Sequence, residues 1–538
     1  MASKLGGQTV SFVLPSHRPE IAYADALYHA GQYRKALSVV QSLPAAPERE
    51  LFCARVLYRL GRNDEARALL TQLRNAPLER ALQVECSTLL ALVEISAGHL
   101  APATAALNRV DDVSFQAMTT PQRYEIEHAR AMLHWAAGAP RKALDIIRNV
   151  SAEDDHGWAG KLLIMRGWIA ASNNQFVEQA RLLHEGILVA QRAAVVDVGV
   201  LARALHGLAA ILREVPVPDI LDSVINIAQQ FPWTEDLRVH EFHTLRAIGW
   251  ANVLRGQNIL GIRAINRAKE LAPLIYGSAV AEEEEAPAAS HWVVLSHLDH
   301  SYIARAAGEP ATAEAELLDA HDRLQDTDWS NVAGEESVAL LVAAELFAAS
   351  HPRRSTELLE KYLAVRDTIS NISGFKHNGR LAAMEEYVRA AIAHAFGDHR
   401  AALSHAAAAY RQFSEMAHAW RAARAALIAH ENGGGRLYLE HAASAIEPYP
   451  RSFIAQEVEK KKARAERPIL GALTPKQREV FDVLCSGASA TECGDRLGIT
   501  ESTVRGHIKA IHRAFGVKSR SQLLTAAARL GFISSPHI

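Results

Sequence analysis

Cysteine is scarce in this chain, with four residues in 538, at positions 53, 86, 485 and 493, and no CxxC pair among them. That pattern argues against a disulfide-built fold and for a reduced, cytoplasmic protein. No secretory h-region and no uncharged apolar run of membrane-spanning length occurs, so a soluble chain is expected. Aromatic residues make up only 6%, too few for a typical sheet protein. No GxxxxGK[ST] loop is present, which leaves ATP without an obvious phosphate cradle. HExxH and GxSxG are missing as well, and no paired carboxylates have a supporting context. Neither catalysis nor a cofactor is therefore expected.

What is abundant is alanine, in runs such as HAAAAYRQF and RAARAALIAH. Alanine has the best helix propensity and lets helices approach closely, so an all-α protein is predicted. A chain this long exceeds one ordinary core and requires several domains or a repeat array. Glycine followed five residues later by a small residue recurs at Gly31/Ala36, Gly61/Ala66, Gly98/Ala103, Gly138/Ala143, Gly256/Gly261, Gly308/Ala313 and Gly397/Ala402. Glycine can take the left-handed conformation that ends one helix, and the small residue lets the next pack against it. LYHAGQYRKALSVV and LYRLGRNDEARALL are the clearest copies and resemble tetratricopeptide repeats, although the full 34-residue pattern is not sustained. Ten or eleven helical hairpins in a right-handed superhelix are predicted, with irregular members near residues 200–290.

Charge divides the chain. Residues 468–538 carry nine basic and five acidic side chains, a net +4, which leaves −6 for residues 1–467. A small basic tail on a large acidic body suits a nucleic-acid reader fused to another module. The run EVEKKKARAERP, residues 457–468, reads as a charged linker, helical or partly flexible, and its lysines would also suit phosphates. The predicted domains are a repeat domain over 1–456, the linker over 457–468 and a DNA-binding domain over 469–538. AVAEEEEAP, from Ala279 to Pro287, reads as a solvated loop.

The tail has repeated helix-start chemistry. Thr474/Gln477, Ser489/Glu492 and Ser519/Gln522 form hydroxyl-x-x-Glu/Gln capping boxes, and Thr500 caps a further helix without the reciprocal partner. Four helices follow, near 475–486, 490–497, 501–515 and 520–530, separated by Gly487, Gly498 and Gly516. The middle pair, joined by Gly498-Ile499-Thr500, makes a helix-turn-helix. In the third helix Val504, Ile508, Ile511 and Phe515 share one face at helical spacing, while Ser502, Arg505, Lys509 and Arg513 share another with Gly506 beside them. An apolar inner face and a cationic outer stripe are what a helix in the major groove requires, with Arg505 and Lys509 in reach of base edges or phosphates.

Leu473 to Gln522, with LTPKQREVF, GASATE, RLGITESTVRGHIKAI and GVKSR, resembles the LuxR/FixJ-type helix-turn-helix regulators. The resemblance implies a four-helix module whose third helix reads double-stranded DNA and whose fourth pairs across a homodimer. It places Arg505, Gly506 and Lys509 at groove contacts, Thr503 and His507 beside the backbone, and Lys518 and Arg520 near phosphates. Leu523, Leu524, Ala527 and Leu530 offer apolar surface for pairing. Gln477, Cys493, Gly494 and Gly506 depart from the family pattern; the first three change the scaffold, and the last removes one base contact. With the repeats in front, the chain resembles the maltose-regulator-like group without its ATPase module. That implies a sensor whose array takes a peptide, a small molecule or a partner protein, RNA polymerase among the candidates. A repeat scaffold that uses its tail for dimerisation or docking is the competing reading, and the cationic stripe separates the two. His240/His243 and His297/His300, with His291 or Glu241, have metal-compatible spacing, but twenty-five histidines produce such pairs by chance. No metal role is assigned to them, and Cys485 and Cys493 are expected to behave as small apolar groups.

Overall fold

The computed structural model describes residues 19–111, 118–148, 156–173, 175–193, 197–276, 289–325, 338–370, 379–471 and 473–529. These residues hold helices and connecting turns and no strand. Among the described residues eleven helix pairs run from Pro19–His29 with Tyr33–Gln41 through to Ala419–Ala429 with Gly435–Ile446, and a long helix, Phe453–Gly471, follows them. That count lies within the ten or eleven hairpins expected, of which the glycine pattern marks seven, and at those seven the geometry agrees. All seven glycines of the pattern have positive φ, between 70 and 83°. Their small partners are buried, with Ala36, Ala66, Ala103, Ala143 and Ala402 fully so.

At Gly31 the mechanism is explicit. Its N–H donates to the Tyr28 carbonyl at 3.0 Å and the Gln32 N–H donates to Leu27 at 2.9 Å, which closes the helix with a Schellman motif. Ala417 repeats the device without glycine: φ is +57°, its N–H donates to Ser414 and the His418 N–H to Phe413. A left-handed alanine costs roughly 1–2 kcal/mol, and a pattern built on glycine misses this turn, which joins the tenth helix pair to the eleventh. The irregularity expected near 200–290 is a 3-10 turn at Glu235–Leu237 and a proline, Pro273, inside the helix Asn258–Tyr276. The acidic loop at 279–287 lies outside the described residues.

The chain divides into two compact units, 1–251 with 260–299, and 252–259 with 300–538. In the first unit the opening hairpin returns to residues far along the chain. Thr234 Oγ1 donates to the Gly31 carbonyl at 2.6 Å, the Arg34 N–H donates to Asp236 at 3.0 Å, and Arg59 reaches Asp197 at 2.9 Å. These bonds tie the first two helix pairs to residues 197–236 of the same unit. In the second unit Glu345, on Val338–Phe347, accepts from Arg421 at 3.1 Å and also pairs with Arg424. Ser452 caps the helix that contains the charged run, with the Ala455 N–H 3.1 Å from its hydroxyl. On that helix Lys461 pairs with Glu431, beside a π turn at His430–Gly434.

Candidate nucleic-acid interface

Four helices build the tail: Pro475–Cys485, Ala490–Leu497, Glu501–Ala514 and Arg520–Arg529. Two starts carry full capping boxes, Thr474 with Gln477 and Ser489 with Glu492, and Thr500 caps the third helix through the Thr503 N–H at 3.2 Å. The fourth start departs from expectation. The Ser519 hydroxyl accepts from the Gln522 N–H at 3.1 Å, but the Gln522 side-chain oxygen Oε1 accepts from one residue further back, the Lys518 N–H, at 2.8 Å. Gly487, Gly498 and Gly516 all have positive φ and end the first three helices. Gly494 has a structural reason that helix propensity does not supply. A Cβ there would lie 2.7 Å from the Ile499 carbonyl, so the tight turn closes directly over it.

Val504 and Ile511 are fully buried in the tail's core, with Ile508 and Phe515 packed against it. The Phe515 ring stacks on Phe481 at 4.8 Å. Cys493 is buried in the same core, and burial pushes the half-buried Cys485 thiol up to about 11, so both remain neutral. With the apolar face committed inward, Ser502, Thr503, Arg505, Gly506, Lys509 and Arg513 are exposed, and His507 is half-buried. Arg505 is already engaged: its Nε and Nη2 donate to Glu501 Oε1 at 2.9 and 2.6 Å, with the side chain 70% exposed. Among the described residues Lys509 and Arg513 have no acidic partner within salt-bridge reach. A Cβ at Gly506 would meet nothing within 4 Å, so the surface beside Arg505 is open.

Two groups of candidate residues have different surroundings from those expected. Lys518 and Arg520 are both exposed, but Arg520 also donates from Nη2 to the carbonyls of Gly487 and Ala488, both at 2.8 Å. It thereby ties the fourth helix to the end of the first, a positioning role that sequence spacing does not reveal. Leu523 and Ala527, read as pairing surface, lie inside the tail's own core, 1% and 0% exposed. The small four-helix core needs both, and only the half-buried Leu524 remains of the described pairing residues; Leu530 lies outside them.

An apolar-backed helix with an outward cationic stripe, set by a glycine turn across a short partner helix, defines a helix-turn-helix DNA-binding module. Residues 471–527 match the family of bacterial regulatory proteins, luxR family. Spore germination protein GerE of Bacillus subtilis (strain 168) is 38% identical over 72 residues, 13% of this chain and 93% of that protein. The probable HTH-type transcriptional regulator GfsR of Streptomyces halstedii is 42% identical over 53 residues, 10% of this chain and 22% of that protein. Through this C-terminal module the chain belongs to the LuxR family of bacterial regulatory proteins. About three quarters of the chain is also similar to solved structures. A Rap protein complexed with competence and sporulation factor matches at 12% identity and TM-score 0.38, covering 76% of this chain and 98% of that one. The apo form of RapI matches at 12% identity and TM-score 0.42, covering 75% and 97%.

The histidines singled out by spacing have packing partners. His206, on Val198–Leu212, stacks on His243 at 4.6 Å, His240 lies 5.7 Å from His206 between ring centroids, and Trp292 meets His243 edge-on at 4.3 Å. His300 pairs with Glu316 at 3.0 Å. Among the described residues no group of three metal-ligating side chains is placed to hold an ion, and no helix is long and apolar enough to cross a membrane. Burial holds His206 down at about 3 and His240 at about 4, against 6.5 when free, and burial also lowers His243. The unfolded chain therefore takes up protons below pH 6.5 that the folded chain refuses. Stability is full above that pH and should fall on acidification toward pH 4, by up to about 1.4 kcal/mol per pH unit for each histidine. Urea titrations between pH 7 and pH 4 check this, and His206→Phe should flatten the slope.

Proposed function

We propose that the protein is a sequence-specific transcriptional regulator that binds double-stranded DNA as a homodimer and whose repeat region senses a ligand or partner. The observation that carries this reading is the tail's third helix, with its buried apolar face and the exposed Arg505, Lys509 and Arg513 behind it. In this reading Arg505 enters the groove, Lys509 one turn on reaches base edges or phosphates, Gly506 lets the backbone approach, and Thr503, His507, Arg513 and Lys518 face the sugar-phosphate chain. Arg520 contributes by holding the module together. The division 1–456, 457–468 and 469–538 is retained, with the charged run as part of a continuous helix joining array to reader.

The sensing role draws on partly buried charges of the first unit. Arg55 lies 3.6 Å from Glu85 and 3.9 Å from Glu125, and Lys161 lies 3.8 Å from Asp197. Arg55 and Lys161, both partly buried, are paired with these carboxylates too loosely for direct hydrogen bonds, and their cationic heads suit a ligand bearing an anionic group, such as the carboxylate of a peptide or a small zwitterion. Genome-wide mapping of the bound sites of the full chain tests the regulator reading. Focal occupancy lost in the Arg505→Ala chain is expected, and unfocused occupancy in the wild type would favour the scaffold reading. For pairing, Leu524→Glu should leave the fold intact, since Leu524 is only half-buried. It should reduce binding to an inverted repeat about tenfold while sparing single half-sites, read by gel-shift stoichiometry. Retained dimeric binding would move the interface into the repeats.

A further inference from the structure

Arg505 does not stand alone on the outer face of the third tail helix. Glu501, one turn earlier, receives both Nε and Nη2 of Arg505 on a single oxygen, Oε1, at 2.9 and 2.6 Å. Its other oxygen, Oε2, accepts from Thr491 Oγ1 at 3.0 Å, and Thr491 belongs to the preceding helix, Ala490–Leu497. A chain of three side chains therefore runs from the second helix, through a carboxylate, to the guanidinium. Both oxygens of the carboxylate are occupied, so it cannot swing away without breaking bonds to two helices. From this arrangement we infer that Glu501 is a specificity-determining residue that presents the Arg505 fork to a guanine and withholds it from phosphate. The inference rests on the reading of this helix as the DNA-reading element.

The donor inventory supports the presentation. A guanidinium has five N–H groups, one on Nε and two on each Nη. Glu501 takes the Nε–H and one Nη2–H, on the same edge. Both Nη1–H groups and the second Nη2–H remain, and these form the end that meets O6 and N7 of guanine in a bidentate pair. Gly506, next in the chain, leaves the flank clear, since even a Cβ there would touch nothing within 4 Å. An arginine held this way loses less side-chain freedom on meeting a base than one starting free in solvent.

The withholding follows from charge. A phosphate against Arg505 would bring its negative charge beside the Glu501 carboxylate, whereas a guanine edge presents neutral acceptors. Glu501 therefore opposes the sequence-independent contact more than the sequence-dependent one. The hydrogen bonds from Arg505 and Thr491 also hold the Glu501 carboxyl below its usual range, so it stays ionised at neutral pH. Lys509 has no such chaperone, and it is the cation this inference leaves to make phosphate contact.

The experiment uses the full chain and a pool of randomised double-stranded DNA, with sequencing of the bound fraction. Wild type is compared with Arg505→Ala, Glu501→Gln and Thr491→Val. Arg505→Ala identifies the guanine position by erasing it. Glu501→Gln should reduce discrimination for guanine at that one position about tenfold and leave the other positions unchanged. It should also bind an alternating A·T duplex several-fold more tightly, with a log–log salt slope steeper by roughly 0.9, the mark of one added phosphate contact. Thr491→Val keeps the carboxylate and its helix-start charge but frees its outer oxygen, and should shift the guanine preference the same way, about threefold. Undiminished guanine preference in Glu501→Gln overturns the inference. So does a uniform loss of binding in Glu501→Gln accompanied by wild-type preferences in Thr491→Val, since that pattern belongs to a residue that only supports the helix. A wild-type chain that enriches no motif overturns the DNA-reading assignment beneath it, a result distinct from either.

Discussion

Replacing Arg505 and Lys509 together with alanine should abolish selective DNA binding while leaving the tail folded. Neither side chain belongs to the core, which is built from Val480, Phe481, Leu484, Cys493, Val504, Ile511, Leu523 and Ala527. Arg505→Ala alone removes a fork able to pair bidentately with one base, a loss of about 1–3 kcal/mol, or roughly ten- to hundredfold in affinity for a specific site. Lys509→Ala should instead weaken all sequences to a similar degree and make the salt dependence shallower by about one phosphate contact. The double variant combines both losses. Footprinting and salt-series titrations on one DNA fragment separate the two signatures. Wild-type protection by the double variant would remove the third helix from the interface.

Asp299→Ala should destabilise the first unit by about 3–5 kcal/mol, the largest single-site loss expected here. Asp299 accepts from Arg246 through Nε at 2.7 Å and pairs with Nη2 at 2.6 Å, and its other oxygen accepts from Trp250 Nε1 at 3.0 Å. Arg246 and Asp299 side chains are 6% and 5% exposed, so the alanine variant leaves a buried guanidinium and an indole N–H without their acceptor. Water has little access to compensate. Asp299→Asn, which keeps an acceptor and the shape, should cost less, and replacing Arg246 and Asp299 together with leucine should cost less than Asp299→Ala alone. A chain this size is not expected to unfold in one step, so hydrogen exchange across Arg238–Leu254 is the suitable measurement. Unchanged protection there in Asp299→Ala would show that the pair contributes nothing net.

These two predictions differ in where their grounds lie. The pair Arg505 and Lys509 is visible in the chain because helical period is local: four residues separate them on any helix, and Val504 and Ile511 must then fall on the opposite face. The hairpins were visible for the same reason. A helix end needs a left-handed residue and a close crossing needs a small one, so Gly31/Ala36 and its six counterparts mark seven of the eleven turns within helix pairs among the described residues. Where the left-handed residue is alanine, at Ala417, the signal vanishes although the geometry persists. Capping boxes were readable at Thr474 and Ser489, where both partners lie within three residues.

Arg246 and Asp299 are separated by 53 positions, and no period links them. The same holds for Arg59 with Asp197, and for Arg520, whose guanidinium spans 33 residues to reach Gly487. From the chain alone Arg520 is one more cation beside DNA; only the packing of the fourth helix brings its guanidinium, still exposed, against the carbonyl oxygens of Gly487 and Ala488. Leu523 and Ala527 show the same limit in reverse, because apolar residues suit a dimer face and a core equally until the neighbouring helices are in place. The sequence by itself determined the all-helical class, the hairpin grammar, the helix-turn-helix and the cationic stripe, since each depends on residues within a turn or two of one another. The tertiary structure decided which charges are paired across helices, which apolar residues are consumed by the core, and that Thr491 of the preceding helix fixes the Glu501 carboxylate to which Arg505 donates. Those outcomes depend on which helices meet, and desolvation and hydrogen-bond geometry act only once they have met.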